Sequence, residues 1–216
     1  AVYKVASVEK RDSSRSAGGP YTTSTLQQDA SRKLGYSVKR TMVLAQQLYE
    51  GVSLGPDTPV GLITYMRTDS LHVAEGALKQ SKDVITKEFG PEYALEKPRH
   101  FKTRSKGAQE AHEAIRPTDL ARTPDRVKRF LNKDQHRLYT LIWQRFVASQ
   151  CAAAEMDVTT YEITAGRGLF RASGLQIIGA AVAIFAALFT AGITVLHSED
   201  RHRDDERGRG TLTASD

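Results

Sequence analysis

The sequence predicts an α+β fold, mainly helical, with a helical region inserted between β-strands, and three observations carry that reading. Segments rich in β-branched and aromatic residues lie towards both ends of the first 174 residues: a weak alternation over 1–8, then runs at 155–164 and 169–172 separated by Gly166-Arg167-Gly168. Between them, apolar residues recur at helical spacing in several segments bounded by cap and stop signals. A composition of 40% hydrophobic and 26% charged residues is that of a globular chain able to bury a core.

In chain order, 1–8 fits a strand and 11–19 reads as a polar loop closed by Pro20. Thr22-Thr23-Ser24-Thr25 offers N-cap hydroxyls, Gln27 or Gln28 stands where a capping box needs it, and Gly35 ends a helix after Leu34. A second helix fits 37–50, with Val38, Met42, Ala45 and Leu48 as its core stripe and Gly51 as its stop. Residues 52–59 carry two turn signals and deliver the chain into a short apolar run before Tyr65. Asp69 or Ser70 can cap a third helix, whose spacing from Val73 to Glu88 is helical up to Gly90-Pro91. Thr123-Pro124 opens a fourth, running to about Asn132. A longer helix fits 134–153, with Leu138, Leu141, Ile142, Arg145, Phe146 and Ser149 on one side and Trp143 at an edge.

Charge narrows the partners. The formal balance is +6, but the last twenty residues hold four Arg against six Asp or Glu, so the globular part carries +8 and favours a polyanion. The single cysteine, Cys151, excludes an internal disulfide and suits a reducing compartment. The first residues lack the apolar core of a signal peptide, and a start at Ala rather than Met reads as a piece of a longer protein.

The stretch GLITYMRTDS at 61–70 holds the densest chemistry, with a phenol, a guanidinium and a carboxylate within five residues. On a strand, the side-chain period of two puts Tyr65 and Arg67 on one face. A tyrosine hydroxyl beside a fixed cation can attack a phosphodiester, because the cation favours phenolate and holds phosphate oxygens. The competing reading is an ordinary buried strand that ends in a helix cap. A helix start just after it would also offer free amides to phosphate. Further on, KPRHFKTRSK at 97–106 has five Lys or Arg with one His and one Phe, which suits either a solvated loop or a nucleic-acid contact. In QEAHEAIRP, His112 is followed four residues later by Arg116 rather than a second histidine, so the zinc-protease motif fails and His112 is free to meet phosphate or carry a proton.

In this order the segments resemble the type IA DNA topoisomerases, specifically the bacterial enzymes: PYTTSTLQQDASRKLGYSVKRTMVLAQQLYEG at 20–51, VGLITYMRTDS at 60–70, SKGAQEAHEAIRPT at 105–118, LYTLIWQRFVA at 138–148 and the residues at 170–174. ITYMRTDS followed by AHEAIRP is more specific than either alone. The resemblance implies that Tyr65 is the nucleophile that cleaves one DNA strand and takes its 5'-phosphate. It also implies that Arg67 binds the scissile phosphate, that His112 lies beside it, and that resealing relaxes negative supercoils. It further implies a bacterial cytoplasmic enzyme at the nucleoid, single-stranded DNA as partner, and the helical tyrosine domain set between strands of the topoisomerase arch. Lys39, Arg40, Lys102, Arg104 and Arg116 are DNA-binding candidates by charge alone.

The expected divisions are first arch strands and loop at 1–21, the helical tyrosine domain at 22–153, returning strands at 154–174, an apolar segment at 175–196 and a disordered charged tail at 197–216. The resemblance implies Mg2+ for the full enzyme, with its carboxylates on a Toprim domain of the same enzyme that these residues do not contain. Isolated, the chain is then expected to be inactive, and a DNA-binding fragment without chemistry is the alternative. Beyond Gly174 the resemblance is expected to stop. The 22 uncharged residues of 175–196 would make a helix of about 33 Å, long enough to span a bilayer. A shifted reading frame, a membrane tether and a buried helix are the readings of that segment; for an enzyme of this kind a membrane role is not expected.

Overall fold

Hydroxyl caps and glycine stops delimit the first two helices where the sequence places them. The computed structural model describes residues 2–55, 59–102 and 112–177. Helix α1 spans Thr23–Leu34, capped by Thr22 and ended by Gly35, whose φ of 72° is a left-handed conformation that glycine adopts without strain. Its capping box closes through Thr25, not a glutamine, because Thr22 is the cap and Thr25 is the third helical residue. Helix α2 spans Val38–Glu50 behind Ser37. Its buried face is Thr41, Leu44, Ala45 and Leu48, so the expected stripe is turned: Val38, in the first turn, is 57% exposed.

The third helix corrects the reading of 61–70. Helix α3 spans Glu75–Glu88 and starts behind Ala74 with no side-chain cap, so neither Asp69 nor Ser70 caps it. The Ser70 hydroxyl instead accepts from the His72 amide at 3.1 Å, and the Thr68 hydroxyl from the Ser70 amide at 3.0 Å, which keeps the intervening chain extended. Helix α4, Pro124–Val127, is shorter than expected and passes into a 3-10 turn over Lys128–Phe130. Helix α5, Lys133–Ser149, is capped by Asn132 and Gln135 and is buried over most of its circumference. Trp143 is inside rather than at an edge, 7% exposed, its indole N–H donating to the Leu120 carbonyl at 3.2 Å.

The strands form one antiparallel sheet in the order β1 (Tyr3–Arg15), β2 (Ala154–Ala165), β3 (Gly168–Ile177). Residues 11–15, expected in a loop, belong to β1 because β2 is long enough to pair them, Arg15 meeting Ala154. Strand β3 continues past Gly174, with Ile177 opposite Met156, so the first three residues of the 175–196 segment are strand. Residues 178–196 and the charged tail lie outside the described residues. No helix among the described residues is long and apolar enough to cross a membrane. The main core lies in the helical body, where Leu26, Leu48, Ile63, Ile85, Ile115, Leu138, Ile142 and Phe146 are fully buried together.

Candidate active site

The 61–70 segment is not a strand of the sheet: it makes one isolated bridge at Ile63 and bends at Thr64, Met66 and Arg67. It is pinned from two sides by partners far away in sequence. On one side lies 112–118: Thr64 N donates to the Arg116 carbonyl at 2.9 Å, Thr118 N to the Leu62 carbonyl at 3.0 Å, and the Thr64 hydroxyl to the Ala114 carbonyl at 2.7 Å. On the other lies the start of α1, where Thr23 N donates to the Thr68 carbonyl at 2.8 Å, the Thr23 hydroxyl to the Met66 carbonyl at 2.8 Å, and Thr68 N back to that hydroxyl at 2.8 Å. Ile115 N closes the frame by donating to the Tyr21 carbonyl at 2.8 Å.

This clamp fixes the alternation expected of an extended chain. Met66, Thr68 and Ser70 point inward and are buried, while Arg67 and Asp69 are exposed. Tyr65 is half-buried, with its ring between two others. His112 lies at 5.1 Å between centroids and Tyr49 meets it edge-on at 5.4 Å and 66°. Beside this stack is a cavity of about 480 Å3, walled by Thr22, Thr23 and Ser24 of the α1 start and by Arg67, Thr68, Asp69 and His112. The helix start on this wall is therefore that of α1, not the one expected just after Ser70. Its positive dipole end favours an anion there, although the Thr23 amide is taken by the Thr68 carbonyl and the Thr25 amide by the Thr22 hydroxyl.

Hydrogen bonding separates Tyr65 from other tyrosines. Tyr21 donates to Asp29 at 2.7 Å, Tyr36 to Asp134 at 2.8 Å and Tyr139 to the Arg122 carbonyl at 2.6 Å. Burial pushes all three phenols up, and the Asp29 and Asp134 hydrogen bonds push Tyr21 and Tyr36 further. These three are held as neutral donors. The Tyr65 hydroxyl makes no hydrogen bond among the described residues, and Arg67 has neither hydrogen bond nor ion pair there.

The other cations do not join this group. The Arg116 side chain is nearly buried and bound to Glu113 at 2.6 Å and to the Pro117 carbonyl at 2.8 Å. Arg40 pairs with Asp134 and lies over the Tyr36 ring at 4.8 Å, and it holds Asp134 below the usual carboxylate range. Lys39 and Lys102 are exposed away from the cavity wall, and Arg104 lies outside the described residues. No group of three or more His, Cys, Asp or Glu that could hold a metal ion is gathered among the described residues. Asp69 is the one carboxylate on the cavity wall, beside a guanidinium and an imidazole, and that set does not fit a Mg2+ site.

Sequence reasoning missed the α1 wall and Tyr49. The signal for the first was in view: Thr22-Thr23-Ser24-Thr25 holds more hydroxyls than one cap uses, and Thr23 uses its own to bind the tyrosine segment.

A helical body that brings an arginine and a histidine to one cavity, with a tyrosine packed on that histidine, beside an antiparallel sheet, places the chain in a class: it belongs to the type IA DNA topoisomerase family, whose profile, described as DNA topoisomerase, matches residues 1–181. Among the relatives are the DNA topoisomerase 1 proteins of Xylella fastidiosa strains Temecula1 and 9a5c, each 43% identical over 206 residues, covering 95% of this chain and 24% of theirs. The full-length topoisomerase I of Thermotoga maritima shares the fold at a TM-score of 0.73 and 36% identity, covering 91% of this chain and 31% of that one. The chain thus spans about a quarter of the length of the curated relatives. Because the profile runs to residue 181, the likeness does not stop at Gly174.

Proposed function

We propose that this chain is the tyrosine-bearing portion of a type IA topoisomerase, in which the Tyr65 oxygen attacks a backbone phosphorus of single-stranded DNA. The bond from phosphorus to Tyr65 forms, the bond to the departing 3'-oxygen breaks, and the Tyr65 proton leaves so that a 3'-hydroxyl is released. The reverse attack by that hydroxyl reseals the strand, and passage of the other strand in between relaxes negative supercoils. Arg67 holds the phosphate oxygens and offsets the charge that grows on them in the transition state. His112 packs on the Tyr65 ring from the cavity wall and is placed to bind the same phosphate.

The observation that carries this reading is the meeting of Tyr65 and His112, 47 residues apart, beside a cavity walled by a helix start and by an arginine with no partner among the described residues. A neutral phenol is a weak nucleophile, so the attack depends on cations around it that favour the phenolate. The fit of the surroundings to Mg2+ is poor, so any metal chemistry belongs to carboxylates supplied by a Toprim portion, and the helical and strand segments correspond to parts of the family's arch. The same reading places the whole enzyme at the bacterial nucleoid.

Incubation with a labelled single-stranded oligonucleotide, Mg2+ and a Toprim portion added in trans tests the proposal. A denaturation-resistant protein–DNA adduct is expected with the native chain and none with Tyr65→Phe. Oligonucleotide binding without adduct would favour a DNA-binding fragment, and adduct persisting in Tyr65→Phe would sink the nucleophile assignment.

A further inference from the structure

Tyr49 stands at the end of α2, 16 residues before Tyr65, and no sequence motif gives it a role. Its ring meets the Tyr65 ring in an edge contact, and His112 makes the second ring contact of Tyr65. The two tyrosines also belong to one backbone unit. Leu62 N donates to the Leu48 carbonyl at 2.7 Å, Val52 and Val60 exchange hydrogen bonds at 2.9 and 3.0 Å, and a Cβ on Gly61 would lie 2.6 Å from the Tyr49 carbonyl oxygen. The approach of the tyrosine segment to α2 is therefore too close for any residue but glycine at 61.

A phenol can swing about its χ1 and χ2 bonds, and only some rotamers aim its oxygen at a phosphate. With Tyr49 and His112 both in ring contact with it, a swing of the half-buried Tyr65 ring breaks at least one of the two contacts. We propose that Tyr49 is a positioning residue for the Tyr65 nucleophile, an inference that rests on the function proposed above. It acts through the ring, not its hydroxyl, which makes no hydrogen bond among the described residues. Tyr49 is 41% exposed, so its removal leaves no buried hole.

Two substitutions separate this role from others. Tyr49→Phe keeps the ring edge and is expected to leave the single-turnover rate of adduct formation unchanged. Tyr49→Leu is expected to lower that rate about ten- to a hundredfold, the scale of a misaimed reacting group, while the oligonucleotide Kd changes less than about twofold. In the 13C-tyrosine-labelled chain, the Tyr65 ring resonances, assigned by their loss in Tyr65→Phe, are expected to shift in Tyr49→Leu and to stay near native in Tyr49→Phe. Equal rates for Leu and Phe, unmoved Tyr65 resonances in Tyr49→Leu, or a Kd that rises as far as the rate falls would each overturn the positioning role, the last by making Tyr49 a platform for a base. Absence of adduct in the native chain would instead overturn the proposed function, before any Tyr49 variant is compared.

Discussion

Two regions of this molecule satisfy their backbones in opposite ways. The three-stranded sheet does so by a ladder from Tyr3 opposite Ala165 to Ile177 opposite Met156, broken once by a register shift between Val5 and Ser7, and leaves most of its side chains in solvent. The 61–70 segment has no ladder. Its amides and carbonyls are taken by threonine hydroxyls and by two segments 43 to 56 residues away, and its inward side chains are sealed in the core. A ladder repeats the same environment at every second residue. An irregular clamp makes each position different, which is how Tyr65 comes to contact two rings while Arg67, two residues on, stands at a cavity without a partner among the described residues.

The contrast can be broken or sharpened by substitution, the largest effect first. Arg67→Ala is expected to slow adduct formation about 10²- to 10³-fold, the usual loss when one stabiliser of transition-state charge is removed. Its thermal midpoint should stay near native, because Arg67 is exposed and has no partner among the described residues. A melt that falls with the rate would make its role structural. Ile63→Ala, at a 1% exposed site inside the clamp, should cost about 2–5 kcal/mol in urea unfolding. The matching change in the sheet, Val8→Ala at a 52% exposed site, should cost under about 0.5 kcal/mol. Equal costs would erase the distinction between the two regions.

Thr23→Val keeps the side-chain shape but strips the hydroxyl from the Met66 carbonyl and the Thr68 amide, and is expected to cost about 1–3 kcal/mol. The smallest effect near neutral pH lies at the joint of the two regions, where buried Cys151 bridges to Ala94 just before β2. Burial pushes its thiol up to about 12, against about 8.5 in an unfolded chain. The folded state thus prefers the neutral thiol. That contribution is whole below about pH 8.5 and is lost as the pH rises towards 12. Iodoacetamide at pH 8 should therefore leave native Cys151 unlabelled and label it in urea. Rapid labelling of the native chain would show the joint to be open.

The helices with their own punctuation were legible in the sequence. Thr22, Gly35, Ser37 and Gly51 act locally, and caps and stops are read from neighbours, whereas Asn132, read as the end of one helix, is the cap of the next. Asp69 and Ser70 look equally like caps, but the hydroxyls of Thr68 and Ser70 bind amides two residues on, and only the folded chain shows which use prevails. The extent of β1 depends on the length of β2, about 140 residues away, and no local pattern encodes it. In the site, the period of two predicts Tyr65 and Arg67 on one face; Arg67 is exposed, between buried Met66 and Thr68, and Tyr65 is half-buried. The clamp was not legible, because each of its hydrogen bonds joins segments that the sequence keeps apart.

The account stands most directly on which atom takes the phosphate. Two tyrosines in ring contact, Tyr49 and Tyr65, lie between Arg40 and Arg67 and would emerge on one tryptic peptide. Digestion of the trapped adduct, nuclease trimming of the DNA and fragmentation of that peptide by mass spectrometry would locate the nucleotide. The account predicts the added mass on Tyr65 alone. A nucleotide on Tyr49, or on any other residue, would contradict it.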